Sequence, residues 1–470
     1  MEQIIHHVEE FLEKVFTVHA YNITDLDATA SELKKDSDEL SRKILQTIIE
    51  EMNQSLREDK ATRKEMGLVM KEKDRKRCIL TELGEIHFNR DYYYNKNSDR
   101  YEAPIDQMLS IEARARIGAE ICSKLVTKAT EESYARSAKD VTGGLVSRQS
   151  VKNAIMKAPE LEKQPEDEDP KQVRTLDVYA DEDHVHLQKP EKEKGKRNKL
   201  VPLVTVTEGT KKISNTRNAT INPVHFVDEN MNSKNLWSSV EGYIGKTYDL
   251  DTLEEIRLHS DGGPWIKTGL ENFINVVRVL DLWHLYDRIR TVDNTFPCRQ
   301  AGNGILKALK DNDRDRAETI LAGLISQCAE RKEFKTLRDF QTYIFSNWDA
   351  AINSLREGMT GSCTEGQVSH VLSERFSRNP MGWSVKGVGK LSKLRVFCKN
   401  GGEIKAEHFK SSYEENENLK DYASRIMEEQ IGKYDLRWLS DMRETYVFDT
   451  TSGTQQEIKH LGRMRDNFIN

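Results

Sequence analysis

Three acidic residues stand where the chain leaves segments that read as strands or enters one that reads as a helix: Asp181 in VYADED, Asp261 in LHSDGG and Glu365 in SCTEGQVSHVLSERF. They are 80 and 104 residues apart. Carboxylates at the carboxyl ends of neighbouring strands converge, because the ligand crevices of open α/β sheets form there. Three such groups cannot all stay ionised without a cation, and hard divalent ions with oxygen ligands meet that need. A pair of Mg²⁺ or Mn²⁺ ions about 4 Å apart can clamp the attacking and leaving oxygens of a phosphodiester. The expected chemistry is therefore metal-assisted phosphoryl transfer on nucleic acid. Spacing alone is a weak signal in a chain with 78 Asp and Glu. Asp183 shares a strand face with Asp181 and is the alternate first ligand. His184 and His186 also share a strand face, where zinc is the weaker reading and a half-exposed pair the stronger.

The elements that must hold the trio are legible in the pattern. Apolar and β-branched runs at 173–181, 184–188, 200–209, 253–261 and 274–281 read as five strands. Helices are expected around Asn235–Ile244 and from Pro264, which gives a compact mixed sheet with helices on its faces. Residues 282–360 are almost entirely helix-forming and would interrupt or extend that sheet domain. Upstream, Ile5, Val8, Leu12 and Val15, then Leu33, Leu40, Ile44, Ile48 and Met52, recur at helical steps, so 1–77 reads as helical with a basic end at 60–77. CILTELGEIHFNRDYYYN (78–95) reads as a hairpin around Gly84. In EESYARSAKDVTGGLVSRQSVKNAIMKA, a Gly143-Gly144 turn separates two helices, the second opened by Ser147 as N-cap. A helix-turn-helix would present Arg148, Gln149, Lys152 and Asn153 to the major groove. The stretch 159–170 holds three of the chain's ten prolines and six acidic residues, and reads as the main linker.

Composition sets outer bounds. The 470 residues suggest two or three domains, and 37% hydrophobic content with 35 aromatics excludes a disordered polymer. No apolar run approaches a bilayer span, and the start, MEQIIHHVEEFLEKV, is acidic and amphipathic, unlike a signal peptide. Six cysteines occur singly with no CxxC pair, which argues against a secreted disulfide scaffold and against a cysteine zinc site and fits a reducing cytosol. A net charge of −6 does not announce a nucleic-acid partner. Such a partner must be met by local patches: 60–77, the 189–199 loop and 385–399.

The chain resembles the bacterial insertion-sequence transposases of the IS-Lre-two family, members of the DDE superfamily. The resemblance runs through RKRCILTELGEIHFNRDYYY, SYARSAKDV with SRQSVKNAI, DVYADEDHVHLQ, LHSDGGPWI, VLDLWHLYDRI and SCTEGQVSHVLSERFSRNPMGWS. It implies an α+β multidomain protein: a helical region at 1–77, a hairpin and helix-turn-helix DNA-binding region at 78–158, and the linker at 159–172. A ribonuclease-H-like mixed α/β core would follow at 173–284, interrupted by an all-helical insertion at 285–360. The catalytic-glutamate helix and a basic segment at 361–400 and a C-terminal helical region at 401–470 complete it. It implies Asp181, Asp261 and Glu365 as catalytic residues and ligands of two Mg²⁺ or Mn²⁺ ions. Asp281 and His284 match the Asp-x-x-His element of Mutator-like transposases. The expected activity is binding of terminal inverted repeats, strand cleavage and strand transfer by a homodimer or larger assembly on double-stranded DNA, in the cytoplasm and on the nucleoid. A metal nuclease of the same fold, or an end-binding protein with an inactive core, are the alternatives. Trp283 and Trp383 read as core residues, with stacking on a flipped base as the other option.

Overall fold

The computed structural model describes residues 2–19, 25–162, 169–189, 195, 197–214, 217–295, 301–356, 359, 363–379, 381–410 and 417–432. Much of the expected 159–172 linker, the 189–199 loop and most of the expected C-terminal region lie outside those residues. The fold is mixed α+β. The chain divides into two compact units, Met1–Gly118 with Lys410–Asn470, and Ala119–Phe409.

In the first unit, a 33-residue helix, Leu26–Glu58, starts where the Asp25 carboxylate accepts the Ala28 amide. It lays Ile49, Met52 and Leu56 against a sheet of β1 (Leu68–Thr81), β2 (Gly84–Asn95) and β3 (Arg100–Glu102), joined antiparallel in that order. Asp91 is fully buried and takes the Arg57 fork at 2.6 and 2.7 Å. The hairpin is present at Gly84, but its first strand begins ten residues earlier than expected, so 68–77 is strand where a helix was expected. Leu68, Val69 and Met70 pair with Asn95, Tyr94 and Tyr93, and the Tyr93 ring is fully buried. Register irregularities between Met70 and Arg75, with Asp74 at φ 53°, let the strand carry its charges on exposed positions.

In the second unit, helices Ala119–Glu131, Tyr134–Thr142 and Arg148–Lys157 pack on one another. Gly143 and Gly144 have positive φ, and the Ser147 hydroxyl accepts the Ser150 amide, as the sequence predicts. Arg395, in the helix Val385–Lys399, is 1% exposed. It donates to the carbonyls of Thr130 and His370 at 2.7 and 2.9 Å and pairs with Glu131 at 2.7 Å. Those bonds tie the three helices to the same unit as the sheet, so the hairpin and the helix-turn-helix segment fall in different units.

The sheet has five strands in the order β10-β9-β4-β5-β8: β4 (Thr175–His186), β5 (Asn198–Thr207), β8 (Val224–Phe226), β9 (Glu255–Ser260) and β10 (Val276–Leu280). A short ribbon of β6 (Thr210–Ser214) and β7 (Arg217–Thr220) rises between β5 and β8. β4 is antiparallel to β5 and parallel to β9, which is parallel to β10. Leu176, Val178 and Ala180 point to one face and pack under the helix Ser233–Thr247 through Leu236, Trp237, Val240 and Ile244. Where two strands were expected at 173–181 and 184–188 there is one. The acidic run that looks like a turn is carried inside the strand because its side chains find partners. Glu182 accepts the Trp265 indole at 2.5 Å, and Asp183 accepts the Ser373 and Ser377 hydroxyls at 3.0 and 2.9 Å. Among the described residues, five helices between Leu282 and Ser354 enclose a core of their own around Ile305, Leu321, Phe340 and Trp348.

Candidate active site

Register brings the first two carboxylates together. β4 and β9 pair in parallel up to Tyr179 with His259, so two residues further along each strand Asp181 comes beside Asp261. Asp181 thus lies within β4 but beyond its last pair with β9, at the edge where the parallel strands end. Burial pushes its carboxyl up to about 6, the nearby Asp261 charge adds to that rise, and His284 opposes it. The Glu182 amide donates to Asp181 Oδ1 at 2.8 Å. Asp261 follows β9 directly, and its Oδ1 accepts the Gly263 amide at 2.8 Å. Gly262 holds φ +91°, and a Cβ there would come within 2.8 Å of Asn347 Oδ1, so the turn that aims Asp261 has room for glycine alone.

Asp281 and His284 are part of the same neighbourhood. The Asp281 amide donates to the Ser260 carbonyl at 2.8 Å, and its carboxylate accepts the His284 amide at 3.1 Å, capping the helix Leu282–Thr295. Tyr343 enters from the helix Arg331–Ser346. Burial pushes its hydroxyl up, Arg288 pulls the other way from 4.1 Å over the ring, and the charges of Asp261 and Asp281 add to the rise. Trp383 is buried as expected, but Trp283 is 57% exposed, its ring edge-on to His284 at 4.9 Å. Helix Leu282–Thr295 turns Leu285, Ile289 and Val292 inward, which leaves position 283 outside.

Glu365 is placed differently. It is exposed in the first turn of the short helix Thr364–Val368, which packs on β4, and is not among the charges acting most strongly on Asp181. The preceding Cys363 lies against the Tyr179 hydroxyl. Tyr179 in turn stacks on His259 at 4.7 Å, and His259 bonds Asp177 at 2.9 Å. Asp177, Tyr179 and His259 are 5%, 2% and 1% exposed. This buried network links the strands of Asp181 and Asp261 to the helix of Glu365. The sequence reading missed it, although the period-two recurrence of Asp177, Tyr179, Asp181 and Asp183 on one face was its signal.

Asp183, the alternate, is held by two serines. It is 6% exposed, burial raises its carboxyl, and the two serine hydroxyls on Oδ1 oppose that rise. His184 and His186 are exposed; the His186 ring bonds Asn198 at 2.9 Å. On the helix Arg148–Lys157, Arg148, Gln149, Lys152 and Asn153 are all exposed while Val151, Ala154 and Ile155 are buried. Gln149 donates to Asn153 at 2.9 Å, which fixes two of the four side chains relative to one another.

Residues 18–412 match the model of an uncharacterised protein family, UPF0236. The chain belongs to that family. It is 36% identical over 385 residues to a UPF0236 protein of Caldanaerobacter subterraneus subsp. tengcongensis, covering 82% of this chain and 80% of the relative. It is 25% identical over 346 residues to a UPF0236 protein of Streptococcus gallolyticus, covering 70% of this chain and 74% of that one. The family has many paralogues in the first of these bacteria.

Proposed function

We propose that this UPF0236 chain is a DNA transposase of the IS-Lre-two type, with a ribonuclease-H-like core that cuts and joins double-stranded DNA at the ends of an insertion sequence. The observation that carries the reading is the meeting of Asp181 and Asp261 at the edge of adjacent parallel strands, one of them buried enough to resist ionisation. The strand order, three antiparallel strands followed by two parallel ones, supports it, as does the helical segment between β10 and Glu365. Many paralogues in one bacterium are what a mobile element leaves behind.

An oxygen-only donor set of two close carboxylates fits hard divalent cations. Asp181 and Asp261 would hold them, with Glu365 completing the set from its helix. Bound Mg²⁺ or Mn²⁺ would activate the attacking oxygen and neutralise the leaving one. The chain's own residues do the rest. The buried Asp177–His259 pair holds the two strands in register, Asp281 caps its helix so that His284 lies near Asp181, and the exposed Trp283 beside His284 would stack on an unpaired base. Arg148, Gln149, Lys152 and Asn153 contact the duplex, the cations on phosphate and the amides on base edges. Two element ends are brought together by at least two protomers.

The test is a cleavage and joining assay on labelled element ends with Mg²⁺ or Mn²⁺, comparing the wild type with Asp261→Asn. Chemistry should fall at least about a hundredfold with end binding retained. Equal activity in both proteins refutes the site. Binding without chemistry in either leaves the end-binding alternative.

A further inference from the structure

The hairpin of the first unit carries a second group of ligating side chains, far in sequence from the acidic trio and of different chemistry. Cys78 and His87 are direct cross-strand partners in β1 and β2, and Glu85 precedes His87 by two residues, so all three project from one face of the ribbon. The alternate positions, Ile79 and Ile86, are buried on the opposite face. The Cys78 thiol lies 3.9 Å from His87 Nε2, and His87 Nε2 lies 3.7 Å from the Glu85 carboxylate. One donor atom from each of the three residues falls within 4.8 Å of the others. Donors around a tetrahedral zinc ion stand roughly 3.4–3.6 Å apart, so small side-chain rotations close the set.

The frame beneath is fixed. Thr81 donates from its hydroxyl to the Gly84 carbonyl at 3.1 Å and accepts the Leu83 amide at 3.2 Å, while Arg42 reaches the Leu83 carbonyl. Behind Leu80, the chain at Arg116–Gly118 bonds to the strand at 2.9 and 2.8 Å. Ligands on paired strands are held more closely than ligands on a loop.

We propose that Cys78, Glu85 and His87 form a binding site for a borderline divalent cation of the zinc class, with an open fourth position toward solvent. One sulfur, one imidazole nitrogen and one carboxylate oxygen favour such an ion over Mg²⁺. Thiolate and carboxylate together neutralise its charge, and the metal staples β1 to β2 beside their turn. A search for CxxC pairs cannot find this site, because its single cysteine is joined by a histidine and a glutamate across the hairpin.

Titration of the metal-free full-length protein with Co²⁺ tests the proposal, since only a thiolate ligand produces the near-ultraviolet sulfur-to-cobalt charge-transfer band. Binding at the acidic trio would be silent there. The expected result is a band that saturates at one equivalent and is displaced by Zn²⁺. It should vanish in Cys78→Ser, weaken at least tenfold in affinity in His87→Gln, and persist in Cys122→Ser. Zn²⁺ should also raise the thermal midpoint of the wild type but not of His87→Gln, whose exposed position makes misfolding a poor explanation. No band in the wild type, or a band that survives Cys78→Ser, overturns the assignment.

Discussion

The environment of Asp181 opposes its own ionised state. Burial, reinforced by Asp261, places its titration at about 6, above the ordinary aspartate value. A raised folded value means that the native state binds the proton more tightly than the unfolded chain. The associated stability is fully present at low pH and is lost as pH rises through about 6. Asp181→Asn should therefore stabilise the metal-free protein by on the order of 2 kcal/mol near neutral pH and by little in acid, measured by urea unfolding at both pH values. In the same variant DNA chemistry should fall to background, read by the cleavage and joining assay. Burial raises the Asp183 carboxyl as well, so its ionisation has the same sign as that of Asp181, but its carboxylate also accepts two serine hydroxyls. Asp183→Ala removes the acceptor of the part-buried Ser373 hydroxyl and of the exposed Ser377 hydroxyl and should cost about 1 kcal/mol, checked by the same unfolding experiment. Sequence reading favours Asp181 over Asp183 although both lie on one strand face; the serines that bond Asp183 come from a segment almost two hundred residues away and were not legible there.

The helix-turn-helix segment was legible because its signals are local: a glycine pair that must take positive φ and a serine that must cap. Its second helix leaves Arg148, Gln149, Lys152 and Asn153 exposed on the side opposite Val151 and Ile155. Lys152→Ala should therefore leave thermal stability unchanged and weaken DNA binding about equally across sequences, with the slope of log K against log salt reduced by about 1, read by fluorescence anisotropy at several salt concentrations. Gly262 makes a contrasting prediction for the loop that ends β9. A Cβ at φ +91° meets Asn347, so Gly262→Ala should cost about 1–3 kcal/mol, measured by thermal unfolding, and displace Asp261. What misled sequence reading were elements decided by distant partners. β1 runs through a basic stretch that looks helical because Tyr93 and the Leu26–Glu58 helix supply its buried face. β4 runs through an acidic stretch that looks like a turn because Trp265, Ser373 and Ser377 receive its side chains.

The division of the chain follows where those partners lie. Ala119–Phe409 contains the sheet, the helices that cover it, the helical segment with its own apolar core and the helix-turn-helix, and Arg395 and Arg375 bind carbonyls of the first helix of that unit. Both guanidinium groups are almost fully buried, at 1% and 2% exposure. Cutting the chain at the acidic 159–172 stretch would remove their acceptors Ala129 and Thr130 and strand two buried cations, a cost of several kcal/mol. Cutting at residue 118 removes none of these bonds. A fragment of residues 119–409 should therefore unfold in one cooperative transition, whereas a fragment starting at 173 should aggregate or melt without cooperativity, as followed by calorimetry and near-ultraviolet circular dichroism. If the proposed chemistry resides in this unit, Mg²⁺ should raise the melting temperature of the 119–409 fragment at neutral pH, and Asp261→Asn should abolish that rise. The Co²⁺ sulfur band should be absent from the fragment, because Cys78 and His87 belong to the other unit. A 119–409 fragment that fails to fold while the 173 fragment succeeds would place the structural boundary at the proline-containing stretch after all.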